Sequence, residues 1–296
     1  MKKLSLLFTL ISFCVFSQEK KFITPDLPKN QVYQYHISSA SSLKSPKGKS
    51  YHAPFTVNQD VELTYLFNDG NDKIFSWKII NYEHLHEGKK EEKNDCNCNK
   101  VAYRNQLTVY FRTDSLGAYK KINNLAQVRG NLLKNIAEQE KLLSKNDKNI
   151  FERVKRNPEG VISNIEEDII IFSRYFGLEN KNSVNTLFAR RNNFPFGLKS
   201  QPFKVVLTVL SEEKDLKINV KNEFDKNKAE DDDYNIFRFN QDVEKEKKHY
   251  QLIADEEYVF SKENFRLLSA KLTAKEISNF HNDGIYDYQY SITQKE

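Results

Sequence analysis

Much that would identify a protein quickly is missing from this one. Its 296 residues include three Cys, one Met and one Trp. Three cysteines are too few to staple a disulfide scaffold. Nine Gly and seven Pro exclude collagen-like and Gly/Pro-rich low-complexity chains. No apolar run approaches the roughly 20 residues that a membrane-spanning helix needs. There is no G-x-S-x-G, no H-E-x-x-H and no Gly-rich phosphate loop, so the common signatures of hydrolases, zinc proteases and nucleotide-binding enzymes are absent. What is present is 39% hydrophobic and 29% charged residues, with 21 Phe and 15 Tyr. That is enough apolar material for a sizeable core and excludes a wholly disordered chain.

The first 17 residues, MKKLSLLFTLISFCVFS, read as a signal peptide. Lys2 and Lys3 give a basic start, Leu4 to Phe16 a short apolar run, and Val15 and Ser17 the small-residue positions before a cleavage site. Cys14 does not mark a lipoprotein, because Phe13 stands where lipid attachment wants a small residue. Cleavage after Ser17 takes 17 of the 296 residues and leaves 279, and the formal charge drops from +5 to +3 with the two lysines. A chain exported to the periplasm or beyond does not meet nucleic acid, so the basic balance is no sign of such a partner.

Residues 18 to 30 read as a polar leader, and residues 31 to 296 as one domain. Strand-like segments run from Gln31 to Ser39, Thr56 to Phe67, Lys73 to His86 and Val101 to Arg112. Phe75, Trp77, Ile79 and Leu85 share one face of the third. Val101, Tyr103, Leu107, Val109 and Phe111 share one face of the fourth, the period of a half-buried strand. Asn68 to Asp72 joins the second and third strands as a hairpin turn, and the four form a meander.

The period then changes. A helical insert is expected from about 121 to 176. Asn123 or Asn124 caps a helix carrying Leu125, Val128, Leu132, Ile136 and Leu143 at three- and four-residue steps. A shorter piece around Ile150, Phe151 and Val154 stops at the breaker Asn157-Pro158-Glu159-Gly160. Ser163-Asn164-Ile165-Glu166 reads as a capping box opening a third helix, with Ile165, Ile169, Phe172 and Phe176 as its stripe. Gly177 stops it.

After an irregular stretch from Asn180 to Ser200, strands resume at Phe203–Leu210, Leu216–Phe224, Tyr234–Phe239, Tyr250–Ala254, Tyr258–Phe260, Phe265–Ile277 and Ile285–Thr293. Asn282-Asp283-Gly284 is a further hairpin turn. The first strand and the last share a Tyr alternation that would suit neighbours. Runs of strands around a helical block give α+β with a large curved, mostly antiparallel sheet, half-barrel-like in outline.

The order of elements resembles that of uncharacterised exported bacterial β-rich proteins. The residues that carry the likeness are Asp114-Ser115-Leu116-Gly117-Ala118-Tyr119 with Asn123 and Asn124, and Tyr258-Val259-Phe260-Ser261 leading to Leu267-Leu268. The architecture is similar to that of the periplasmic lipoprotein carriers. That resemblance implies a curved antiparallel sheet enclosing an apolar ligand under helices, and it carries over no functional residue.

The sharpest chemical constellation is His84-Leu85-His86 followed, ten residues on, by Cys96-Asn97-Cys98. Residues two apart on a strand point the same way. If His86 faces Cys96, His84 faces Cys98, with Cβ atoms about 4.5–5.5 Å apart. The same register sets Ile79 opposite Tyr103 and Phe75 opposite Leu107. Two imidazoles and two thiolates suit zinc or copper(I). Two other readings stand beside this one. Cys96 and Cys98 can form a disulfide, although an extended i, i+2 pair is at the edge of the allowed separation. Or the histidines are solvated residues beside a charged loop.

Catalytic signals are poor. Glu166, Glu167 and Asp168 follow an expected helix start, where acids favour the dipole. Ser115 and His281 have no triad context. His36, between Tyr33, Tyr35 and Ile37, reads as a hydrogen-bonded strand histidine. The expected function is therefore a non-enzymatic envelope protein binding an apolar ligand, such as a lipid, or an envelope component between sheet and helices. The alternatives are a metal-binding or redox-responsive protein using the His/Cys hairpin, and a structural or partner-binding envelope protein.

Overall fold

The computed structural model describes residues 22–44, 50–86, 103–141, 148–191, 201–230, 250–278 and 284–295. Five strands come first: β1 (Val32–Lys44), β2 (Ser50–Asp69), β3 (Asp72–His86), β4 (Thr108–Thr113) and β5 (Tyr119–Ile122). Three helices follow, α1 (Leu125–Glu140), α2 (Lys148–Arg156) and α3 (Pro158–Ser173). Six strands complete the chain: β6 (Ser183–Arg191), β7 (Gln201–Ser211), β8 (Asp215–Phe224), β9 (Gln251–Ser261), β10 (Leu267–Ser278) and β11 (Gly284–Gln294). All eleven belong to one antiparallel sheet of order β5-β4-β3-β2-β1-β11-β10-β9-β8-β7-β6. The protein is thus mostly β, with a helical insert between two meanders. No described helix is long and apolar enough to cross a membrane.

The two meanders meet at β1 and β11, where Ile37 lies opposite Ile292 and Ser39 opposite Tyr290. Alternation decides which face is covered. On β9, Leu252, Ala254, Glu256, Tyr258 and Phe260 are buried while the residues between them are not. Tyr33, Tyr35 and Ile37 of β1 and Val61 and Leu63 of β2 face the same core, which also takes Val128, Leu132 and Ile136 of α1 and Ile165, Ile169 and Phe172 of α3. Phe172 sits edge-on to Tyr35 at 5.5 Å and to Trp77 at 5.7 Å between ring centroids. Such pairs add about 0.5–1.5 kcal/mol each beyond area burial.

The hairpin expected at Asn68 to Asp72 is present as a two-residue turn. Gly70 has φ +62, which glycine adopts without a Cβ penalty. Arg112 and Lys120 hold the turn by ion pairs to Asp69 and Asp72.

Several expectations are corrected. Asn157-Pro158 opens α3 and does not merely end α2. Pro158 takes the first helical turn, where a missing N–H costs nothing, and the Asn157 side chain accepts from Gly160 N at 3.3 Å. The capping box at Ser163 to Glu166 therefore lies inside a helix already under way. Asn124 precedes α1 but makes no capping bond. Its amide is spent on β4, accepting from Tyr110 N at 2.8 Å and donating to Thr108 O at 3.0 Å. From Phe22 onward the polar leader is part of the fold: Ile23 and Leu27 are buried, and Ile23 N donates to Leu178 O at 2.7 Å. Gly117, at φ +100, lets Pro25 approach, since a Cβ there would stand 2.6 Å from Pro25 Cδ.

The register of β3 with β4 is four residues from the expected one. Phe75 lies opposite Phe111 and Trp77 opposite Val109, and the ladder ends at Lys78 opposite Thr108. Residues 103 to 106 form a turn, with Gln106 at φ +61. Asn135 of α1 fixes that turn by donating to Tyr103 O and Asn105 O. A bulge at Ile80 also breaks the single face expected from Phe75 to Leu85, so burial passes from Ile79 to Tyr82. Finally, the stretch expected to be irregular contains β6.

Candidate binding site

The described part of the molecule with the most unusual chemistry is the layer between α3 and the middle of the sheet. The side chains at 161, 165, 168, 169 and 172 share the buried face of α3. All are apolar except Asp168. Its Oδ1 accepts from Tyr290 of β11 at 2.8 Å and its Oδ2 from Gln59 of β2 at 2.5 Å. One carboxylate thus ties the helix to both meanders. Burial pushes its pKa up to about 6, against the pull of Arg104 and of its two hydrogen bonds. Glu167, next to it, is pushed up to about 7 by burial and by Asp168, with Arg174 opposing.

Arg104 lies in the turn before β4, with its guanidinium 4.5 Å from the centroid of the Tyr82 ring. Tyr82 is the cross-strand partner of Gln59, so Arg104, Gln59 and Asp168 belong to one neighbourhood. Arg104 is buried, yet no carboxylate among the described residues forms an ion pair with it. Burial works to lower its pKa, and Tyr82, Tyr103 and Asp168 more than offset that, leaving it raised. Two atoms of this neighbourhood, Gln59 Oε1 and Arg104 Nε, are buried with no hydrogen-bond partner among the described residues. Trp77 Nε1, Arg112 Nε and Arg266 Nε are buried in the same way; Gln59 and Arg104 differ in sharing one neighbourhood with a buried carboxylate.

A second polar group, around Glu256 of β9, is closed. Arg174 donates to Glu256 Oε2 at 2.9 Å, Tyr175 to the same oxygen at 3.0 Å and Asn222 to Oε1 at 3.1 Å. Its donors and acceptors match, which is what a structural ion pair requires. A cavity of about 120 Å³ opens at β10 and β11, lined by Ala274, Tyr288 and their strand neighbours. It is smaller than the roughly 300–1,000 Å³ of a typical ligand pocket.

Two of the four residues singled out from the sequence as metal ligands lie in a described strand. His84 and His86 end β3, their backbones opposite Val57 and Phe55 of β2. Cys96, Cys98 and His281 lie outside the described residues. The described β3–β4 ladder ends at Lys78, before either histidine, and so tests no pairing of them with the cysteines. No three His, Cys, Asp or Glu side chains gather as a metal site among the described residues. His36 is a hydrogen-bonded strand histidine, 2.8 Å from Asp60, which also pairs with Lys295.

Sequence reading missed Asp168 as a site residue because the misplaced capping box made it one of three acids following a helix start. One signal was available: position 168 falls three after Ile165 and four before Phe172, on the apolar stripe itself. Arg104 gave no signal, since its burial depends on the turn that replaces the start of the expected strand.

No protein-family model matches the chain, and no curated protein matches it. The solved structure described as "Lipid-protein interactions in lipovitellin" is similar at a TM-score of 0.47 and 10% identity, over 91% of this chain. This chain spans 25% of that one. The structure of DynF from the dynemicin biosynthesis pathway of Micromonospora chersina gives a TM-score of 0.19 at 7% identity, covering 94% of this chain and 86% of that one. Neither is similar enough to carry a function across.

Proposed function

We propose that this is an exported, non-enzymatic envelope protein that holds an amphipathic ligand between α3 and a curved sheet. The ligand has a long apolar body and one polar end, as a lipid or fatty acid has. One observation carries this reading: a polar island inside an otherwise apolar layer, where Gln59 Oε1 and Arg104 Nε offer an acceptor and a donor that no described residue uses. A few placed polar groups within apolar walls are the usual make-up of a small-molecule site. The aromatic wall of Tyr35, Trp77 and Phe172 suits the apolar body. The chain reaches the periplasm through residues 1–17 and is cleaved after Ser17.

The test is a titration of delipidated protein with a fluorescent long-chain fatty acid, alongside mass analysis of solvent extracts of the protein as purified. Saturable binding that unlabelled fatty acid displaces supports the reading. No retained lipid and no saturable binding would sink it.

A further inference from the structure

The two ends of the sheet are built differently. β5 is four residues long with Lys120 and Lys121 at its centre, the short, charged form in which proteins blunt an exposed edge. β6 is nine residues long and carries no charge before Arg190. Among the described residues it pairs only with β7. Its apolar side chains point to both faces and are open: Val184 is 69% exposed, Phe188 62% and Leu187 41%. Leu210 of β7, also exposed, extends the patch. A long, apolar edge offers a row of backbone donors and acceptors to another strand.

We infer that β6 is a self-association edge, pairing antiparallel with β6 of a second copy about a two-fold axis through Leu187. Self-pairing is favoured by how charge is laid out along the strand. With Leu187 on the axis, Arg190, which also pairs with Glu230 of its own chain at 3.9 Å, lies opposite Val184 of the second copy, and Phe188 opposite its Thr186, so no like charges stand directly opposite each other along β6. Two residues beyond Val184, about 7 Å along the strand, the Asn182 side chain accepts from Ser211 N at 2.6 Å. Ser211 leads directly into the turn Glu212-Glu213-Lys214-Asp215, which has three acids to one base. Each copy's basic strand end therefore approaches the other copy's acidic turn, once on either side of the axis. A two-fold contact of this kind is self-complementary and closes at a dimer.

Sedimentation of the full chain up to about 100 μM, the weak end of specific association, reads this out. The expected result is a concentration-dependent monomer–dimer equilibrium. Leu187→Lys and Phe188→Lys, both at exposed positions, shift it at least tenfold towards monomer with unchanged circular dichroism. Arg190→Glu weakens the dimer, and adding Glu213→Lys to the same chain restores it. A chain that stays monomeric throughout, or a dimer that all three substitutions leave intact, overturns the inference.

Discussion

Asp168 and Tyr290 stand 122 positions apart in the chain and are joined by a 2.8 Å hydrogen bond across the layer between α3 and β11. The burial of Asp168 in this layer, which outweighs the hydrogen bond from Tyr290, makes stability depend on pH. The folded-state values of about 6 for Asp168 and about 7 for Glu167 lie above the ordinary 3.8 and 4.5. Folding therefore favours the protonated acids. The stability they add is fully present below about pH 4 and is lost as pH rises through about 6 and 7. Facing groups do not reverse this sign: Arg104 and Arg174 stay charged, and burial holds Tyr82, Tyr288 and Tyr290 protonated. Melting temperature measured from pH 5 to 8 should fall.

Asp168→Asn should flatten that slope and stabilise the protein at pH 8 by on the order of 2 kcal/mol. An asparagine amide at 168 can donate to Gln59 Oε1 once the Gln59 amide turns over, using the acceptor that now has no partner among the described residues. A variant as pH-sensitive as the parent would contradict this account of the pair.

Glu256→Ala should be far more damaging than Glu256→Gln. The alanine strands the Arg174 guanidinium in the core, at a cost of about 3–5 kcal/mol. The glutamine keeps an acceptor oxygen for it and for Tyr175. Urea unfolding of the two variants gives the comparison, and equal losses would mean the pair acts only by packing.

Asn124→Ala removes two bonds to the backbone of β4. Two hydrogen bonds of this kind are worth about 1–3 kcal/mol together. Hydrogen exchange should show the loss at Tyr110 N first, before any global change.

The sheet was largely legible from residue order because nearly every inner strand alternates, as β8 and β9 do without a break. β1 and β11, whose shared Tyr pattern suits neighbours, do pair. Register was not legible. A slip of four residues between β3 and β4 keeps every apolar side chain on its own face, so the pattern cannot tell the two registers apart. Strand β6 escaped because it is exposed on both faces and so has no alternation to read. The polar layer escaped for a different reason. Whether Gln59, Arg104 and Asp168 converge depends on a bulge at Ile80 and on the turn at 103 to 106, both tertiary features.

The most direct test of the ligand reading compares delipidated parent protein with Arg104→Gln. Each is titrated with a long-chain fatty acid and with the alcohol of equal length. A buried guanidinium bond to a carboxylate is worth about 1.5–3 kcal/mol. The account predicts one saturable site that loses at least tenfold in affinity for the acid and much less for the alcohol, with both proteins folded by circular dichroism. Equal affinities in parent and variant, or no saturable site in the parent, would contradict it.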